Sequence, residues 1–202
     1  HKLEIDEHPA DVVQIFMAIE KSTRFKLNES KKPIEFSMEI ESSLPKYQEV
    51  DEVRLKQIIS NLISNAIKYT EKGYIKLKAS KAFETDQPVM VVEVEDSGIG
   101  IDDSHVENIM QPFFQVDSSV RTEASGVGLG LAICKQLLGL MNGRLEVESK
   151  FGVGSLFRFI IPLKKVSATE LNQELLPIAE ENEVFGKLKL LLVEDNRINQ
   201  VV

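Results

Sequence analysis

Between Asp51 and Thr70 the sequence DEVRLKQIISNLISNAIKYT puts Leu55, Ile58, Ile59, Leu62, Ile63, Ala66 and Ile67 on one broad side of a helix turning every 3.6 residues. So wide an apolar face has to be covered by a second layer. Asp51 sits at the N-cap, and Gly73 closes the run. The covering material lies on both sides. Ala10 to about Leu27 carries Val12, Val13, Ile15, Phe16, Ile19 and Phe25 at helical spacing, and IEFSMEI alternates so that Ile34, Phe36, Met38 and Ile40 face a core. Tyr74–Lys81 and Val89–Glu95 read as two further strands, followed by a loop-rich region from Ser97 to Ser125. After three alternating glycines a helix runs until Gly143 stops it, and Arg144–Lys150 and Ser155–Leu163 form a hairpin around Phe151–Gly154. Strands and helices are interspersed, so the fold class is α/β, a mixed sheet covered by helices. There is no internal repeat.

The 202 residues, 43% hydrophobic and 28% charged, allow one domain or one domain plus a fragment. No apolar run reaches the roughly 18 residues a spanning helix needs, and the first residues lack the apolar core of a signal peptide. A net charge of -8 argues against a nucleic-acid surface, while leaving room for a local basic site for a small anion. The single cysteine, Cys134, excludes an internal disulfide and suits a reducing compartment; at its helical position it reads as a small buried hydrophobe. From 165 to 186 the chain turns acidic and loses strand character, as a linker does. At 187–196 a new hydrophobic strand ends in two carboxylates, Glu194 and Asp195.

Three segments carry chemistry. On the long helix, Arg54, Gln57, Asn61, Asn65 and Lys68 form a narrow stripe opposite the apolar side. The stripe is either a solvated face or a ligand face; Asn occurs twice at i, i+4, where Glu or Lys would serve solvent better. Read as a ligand face, the Asn65 amide oxygen suits Mg²⁺ and Lys68 would neutralise phosphates. In VMVVEVEDSGIG, Asp96 is in phase with Met90, Val92 and Val94 and points to the apolar side. A carboxylate there either caps the following loop or meets a donor such as the exocyclic amine of adenine, with Gly98 and Gly100 admitting the ring. Gly126, Gly128 and Gly130 fit neither the G-x-G-x-x-G nor the G-x-x-x-x-G-K-[ST] spacing. They serve either close helix packing or an anion cradle at the helix's amino end. Gln111–Ala124, polar with Phe113 and Phe114, is composed like a mobile lid with a hydrophobic latch.

In this order the motifs resemble the ATP-binding catalytic domain of sensor histidine kinases, within the gyrase, Hsp90, MutL and histidine-kinase ATP-binding superfamily. Asn61-Leu-Ile-Ser-Asn65-Ala-Ile-Lys68-Tyr-Thr looks like its N box, Asp96-Ser-Gly-Ile-Gly100 its G1 box, Pro112-Phe-Phe-Gln-Val its F box, Gly126-Val-Gly-Leu-Gly130-Leu-Ala its G2 box, and Gly152-Val-Gly154-Ser155 the motif that closes the domain. The resemblance covers 1–164. It implies a two-layer α/β sandwich of the Bergerat type, helices on one face of a mixed sheet and the other face open. ATP and Mg²⁺ are the implied cofactors, with Asn65 on the metal, Asn61 and Lys68 assisting at the phosphates, Tyr69 flanking the nucleotide and Asp96 on adenine. Gly126, Gly128, Leu129 and Gly130 become hinge and cradle of the lid.

The same comparison separates branches of the superfamily. Hydrolysing members place a glutamate one turn before the metal-binding asparagine, and here that position is Asn61, so a kinase is implied rather than an Hsp90-like ATPase. The accepting histidine belongs to a separate dimeric helical domain in which an acidic residue follows it. His1, His8 and His105 precede Lys2, Pro9 and Val106, so that domain, of the same or a paired chain, is an expected partner and a homodimer the expected state of the parent. Leu190–Asn196 resembles the start of a receiver domain, truncated at 187–202, which makes the parent a hybrid kinase in a phosphorelay. A soluble piece on the cytoplasmic side follows, with membrane attachment of the parent left open. The family commonly has Thr or Ser where this chain has Val127. A degenerate kinase that holds nucleotide or docks partners is the alternative.

Overall fold

The computed structural model describes residues 4–114, 128–164 and 166. Its main sheet contains β2 (Ile34–Ile40), β4 (Gly73–Glu84), β5 (Gln87–Asp96), β7 (Gly154–Pro162) and β6 (Arg144–Lys150), in that spatial order. β2 runs parallel to β4 and every other pair is antiparallel, so the sheet is mixed. Register gathers the apolar residues into rows: Leu77 lies beside Val94 and Val94 beside Phe157, while Ala79, Val92 and Phe159 form the next row. These rows join the buried residues of α1 (Val12–Ser30), α2 (Glu52–Tyr69) and α4 (Gly130–Leu140) in one core. The opposite face is charged. Arg158 Nε donates to Glu93 at 2.8 Å, and its Nη1 to Glu148 at 2.9 Å. Among the described residues, helices therefore cover one face and none covers the other, the two-layer architecture expected.

The helix expected from Ala10 begins at Val12, because His8–Asp11 form a strand, β1, paired antiparallel with β3 (Tyr47–Val50). Asp11 then caps α1, accepting from Gln14 N at 3.1 Å, and Lys31 ends it with φ 55°. α2 starts after Asp51, whose Oδ1 accepts from Arg54 N at 2.9 Å while Oδ2 accepts from Asp6 N at 3.1 Å. It ends at Tyr69 with Thr70 as C-cap, so Gly73 opens β4 instead of closing the helix. β4 and β5 extend past the expected strands to a turn at Thr85 and Asp86, both with positive φ. The loop after β5 contains a short helix, α3 (Asp103–Val106). α4 stops at Leu140, and the left-handed residue behind it is Asn142, with φ 55°. Gly143 serves contact: a Cβ there would come within 2.4 Å of the Ile160 carbonyl oxygen. The expected linker at 165–186 and strand at 187–196 lie outside the described residues, apart from Val166.

Candidate functional site

Asp96 ends β5 on the core side and is 6% exposed. Burial pushes its carboxyl above the ordinary range, against the pull of the Gly98 and Ser155 backbone N–H groups, and the Glu95 charge adds to the rise. The Gly98 N–H donates to Oδ1 at 2.8 Å, and Ser155 stands opposite Asp96 in the β5–β7 ladder. Gly98 is closely hemmed. A Cβ on it would lie 2.5 Å from the Tyr69 carbonyl oxygen, 2.8 Å from Asp96 Oδ1 and 2.9 Å from Thr70 Oγ1. The Thr70 hydroxyl is fully buried and has no hydrogen-bond partner among the described residues. An orphaned hydroxyl beside a buried carboxylate is costly unless a polar ligand meets both, which fits an amine-bearing heterocycle such as adenine. Gly100, with φ +66°, turns its bare side to β6: a Cβ would overlap the Lys150 carbonyl oxygen at 2.0 Å.

The stripe on α2 is half-buried, with Asn61, Asn65 and Lys68 partly covered and Tyr69 exposed. Asn61 Nδ2 donates to Cys134 Sγ at 3.7 Å, which sets this part of the stripe against α4. Cys134 is buried as expected, and burial pushes its thiol up to about 11, so it stays neutral. The Lys68 ammonium lies 4.9 Å from the centroid of the Tyr69 ring. Among the described residues no three His, Cys, Asp or Glu side chains come together as a metal cluster. A cation held at Asn65 would thus take its other ligands from phosphate and water, the preference of Mg²⁺.

The glycine segment meets the aromatic one. Gly128, with φ +75°, has its bare side 2.9 Å from the Phe114 carbonyl oxygen, and its own carbonyl accepts from Phe113 N at 3.1 Å. Leu129 occupies the N-cap of α4 without a side-chain cap, and among the described residues nothing lies within 4 Å of the place a Gly130 Cβ would take. The leading N–H groups of such a helix end lack intrahelical partners, the feature on which an anion can be held. Gly126 and Val127, with the rest of the expected lid from Gln115, lie outside the described residues. Of the histidines, His8 lies in β1 and His105 in α3, its ring 5.8 Å from that of Phe114. A cavity of about 370 Å³ between Glu84, Pro88, Asn142, Arg144 and Leu163 opens at the other end of the sheet, apart from all these motifs.

Two contributors escape the sequence. Thr70 is visible only as a hydroxyl just past the helix, and Lys32, which grips the end of α2, has no sequence signal because its contacts are some 35 residues away or more. The family model for histidine kinase-, DNA gyrase B- and HSP90-like ATPases matches residues 50–165. The chain belongs to this family. LuxQ, the autoinducer 2 sensor kinase/phosphatase of Vibrio vulnificus strain CMCP6, is 40% identical over 171 residues, 82% of this chain and 20% of that protein. Sensor histidine kinase RcsC of Escherichia coli K12 is 43% identical over 124 residues, 61% of this chain and 13% of that protein. Full-length ShkA, crystallised with AMPPNP, matches with a TM-score of 0.70 and 30% identity over 83% of this chain and 33% of that one. The nucleotide-free catalytic domain of histidine kinase ThkA gives 0.63 and 26%, over 79% and 97%. This histidine kinase catalytic domain spans a fifth or less of the length of these curated relatives. Among the described residues no helix is long and apolar enough to cross a membrane.

Proposed function

We propose that this domain binds ATP with Mg²⁺ and presents the γ-phosphoryl group to a histidine of a separate helical domain, within a hybrid kinase of a two-component phosphorelay. The reading rests above all on the orphaned Thr70 hydroxyl beside the buried Asp96 carboxylate, a lining that suits adenine. Asp96 accepts from the exocyclic amine, and Tyr69 flanks the nucleotide. Asn65 offers an amide oxygen for the metal, with Asn61 and Lys68 toward the phosphates. Gly128, Leu129 and Gly130 with the start of α4 receive the phosphate tail. Bound Mg²⁺ supplies charge neutralisation on the phosphates. In the transfer, the bond from the bridging oxygen to the γ-phosphorus breaks, a bond from that phosphorus to an imidazole nitrogen forms, and ADP leaves. The chain's own residues orient and desolvate.

They also withhold water activation. The position one turn before Asn65 carries the neutral Asn61 amide, which donates to Cys134, so no carboxylate stands there as general base. A catalytic domain on the cytoplasmic side, where ATP is found, and a receiver following residue 186 belong to the same proposal. Calorimetric titration with Mg²⁺ and a non-hydrolysable ATP analogue tests it, beside Asp96→Ala. Binding by the wild type and a loss of about tenfold or more in the variant are expected. With an added phosphoacceptor domain and ATP, phosphohistidine then accumulates while steady hydrolysis stays slow. A folded wild type that binds no nucleotide would leave a partner-docking module, and steady turnover would favour an Hsp90-like ATPase.

A further inference from the structure

The end of α2 is where Lys68, Tyr69 and Thr70 enter the site, and its carbonyl groups are accounted for one by one. Ala66 O accepts from Thr70 N at 3.0 Å, and Tyr69 O accepts from Ile99 N, in the loop after Asp96, at 3.1 Å. The other three converge on one side chain. Lys32 Nζ donates to Ile67 O at 2.9 Å, Lys68 O at 3.2 Å and Thr70 O at 3.0 Å, and the Glu71 carboxylate lies 3.1 Å away. An ammonium has three donors, and its charge complements the negative end of the helix. The side chain is only 22% exposed. Its stem is fixed from behind: Lys31 ends α1, β2 begins at Ile34 opposite Gly73 of β4, and Gly73 N donates to Pro33 O at 3.1 Å.

We propose that Lys32 is a positioning residue of the nucleotide site, holding the last turn of α2 so that Thr70 and the Tyr69 carbonyl form one wall of the Asp96 pocket. The proposal rests on the nucleotide reading above. Its logic is local. The buried residues of α2, Leu55 through Ala66, anchor the helix without Lys32, whereas the turn past Ile67 has few apolar anchors. Tyr69 O and Thr70 Oγ1 both lie within 2.9 Å of the place a Gly98 Cβ would take, so a small shift of that turn moves the pocket wall itself.

The test uses the 202-residue chain, titrated with Mg²⁺ and AMP-PNP and separately with ADP. Lys32→Met is expected to weaken both nucleotides alike, on the order of tenfold, the scale of a partly buried charge at a helix end. Lys68→Ala should instead weaken AMP-PNP more than ADP, because its ammonium serves the phosphate end. Lys32→Arg, keeping charge and donors, should recover part of the affinity, which a mere loss of stability would not explain. Lys32→Gln keeps two donors, gives an intermediate loss, and remains measurable if the Met variant is too unstable to titrate. Wild-type affinity in both the Met and Gln variants would overturn the role of Lys32 and leave the nucleotide reading intact. A wild type that binds neither nucleotide, or an Asp96→Ala variant that binds both unchanged, would overturn the reading and this inference with it.

Discussion

Asp96 is held in a state that costs stability. Its carboxylate is buried at the end of a strand, offset only in part by two backbone N–H groups, and its proton affinity is raised in consequence. Asp96→Asn keeps the shape and removes the charge. Because the folded value lies above the unfolded one near 3.9, the penalty is absent below the unfolded value and complete above the folded one. The Asn variant is therefore expected to melt at a higher temperature than wild type at pH 7, by a margin that shrinks as the pH falls through the folded value. Calorimetric scans between about pH 4 and 8 check this. A lower melting temperature at pH 7, or a gain that ignores pH, would contradict it. The same variant should bind nucleotide poorly, since its amide places a donor where an acceptor is needed, the exchange of stability for function seen at ligand sites.

At the scale of elements, α2 has two ends with different duties. Its 18 residues span about 27 Å at 1.5 Å per residue. Asp51 organises the far end, capping the helix and receiving the Asp6 N–H of the incoming segment. Asp51→Ala should destabilise the domain by about 1–2 kcal/mol, the loss of a good cap, and leave nucleotide affinity unchanged. Denaturant unfolding beside the ADP titration separates the two effects; a fall in affinity at full folding would refute the division. This helix was also the most legible part of the chain. Seven apolar positions over nearly four turns fix its face, and the period of two fixes that of Asp96. β1 and β3 were not legible, because four residues each, one strand containing Pro9, carry too little periodicity to be told from loop. Lys32 was not legible for a different reason: its partners are set by the parallel pairing of β2 with β4, a contact between distant segments that no local pattern encodes. Gly100 shows the limit of motif reading, since the backbone it clears is that of Lys150 in β6.

For the whole molecule, the boundary of the family match and the boundary of the fold differ. The match starts at residue 50, yet β1, α1 and β2 precede it, as does all of β3 but Val50. α1 buries Val12, Ile15, Phe16, Ile19 and Leu27 against the same core that α2 enters, and β2 adds Phe36. At about 1.5–3 kcal/mol for each fully buried side chain, that contribution is of the order of the whole stability of a domain, about 5–15 kcal/mol. The amino-terminal segment is tied in at further points, since Ile5 packs on the core, Asp6 donates to Asp51 and Glu7 pairs with Lys164 behind β7. Removal of the first 49 residues also strips Lys32 from the end of α2 and leaves Ile75 and Leu77 of β4 at a sheet edge. A chain trimmed to 50–165 is accordingly expected to show no cooperative thermal transition by circular dichroism and no nucleotide binding, whereas one trimmed only beyond Lys164 keeps both. A cooperative transition near the temperature of the full chain in the shorter piece would mean that α1 and β2 decorate the domain. Loss of the transition means that the nucleotide site is built on a core to which residues well outside the matched region belong.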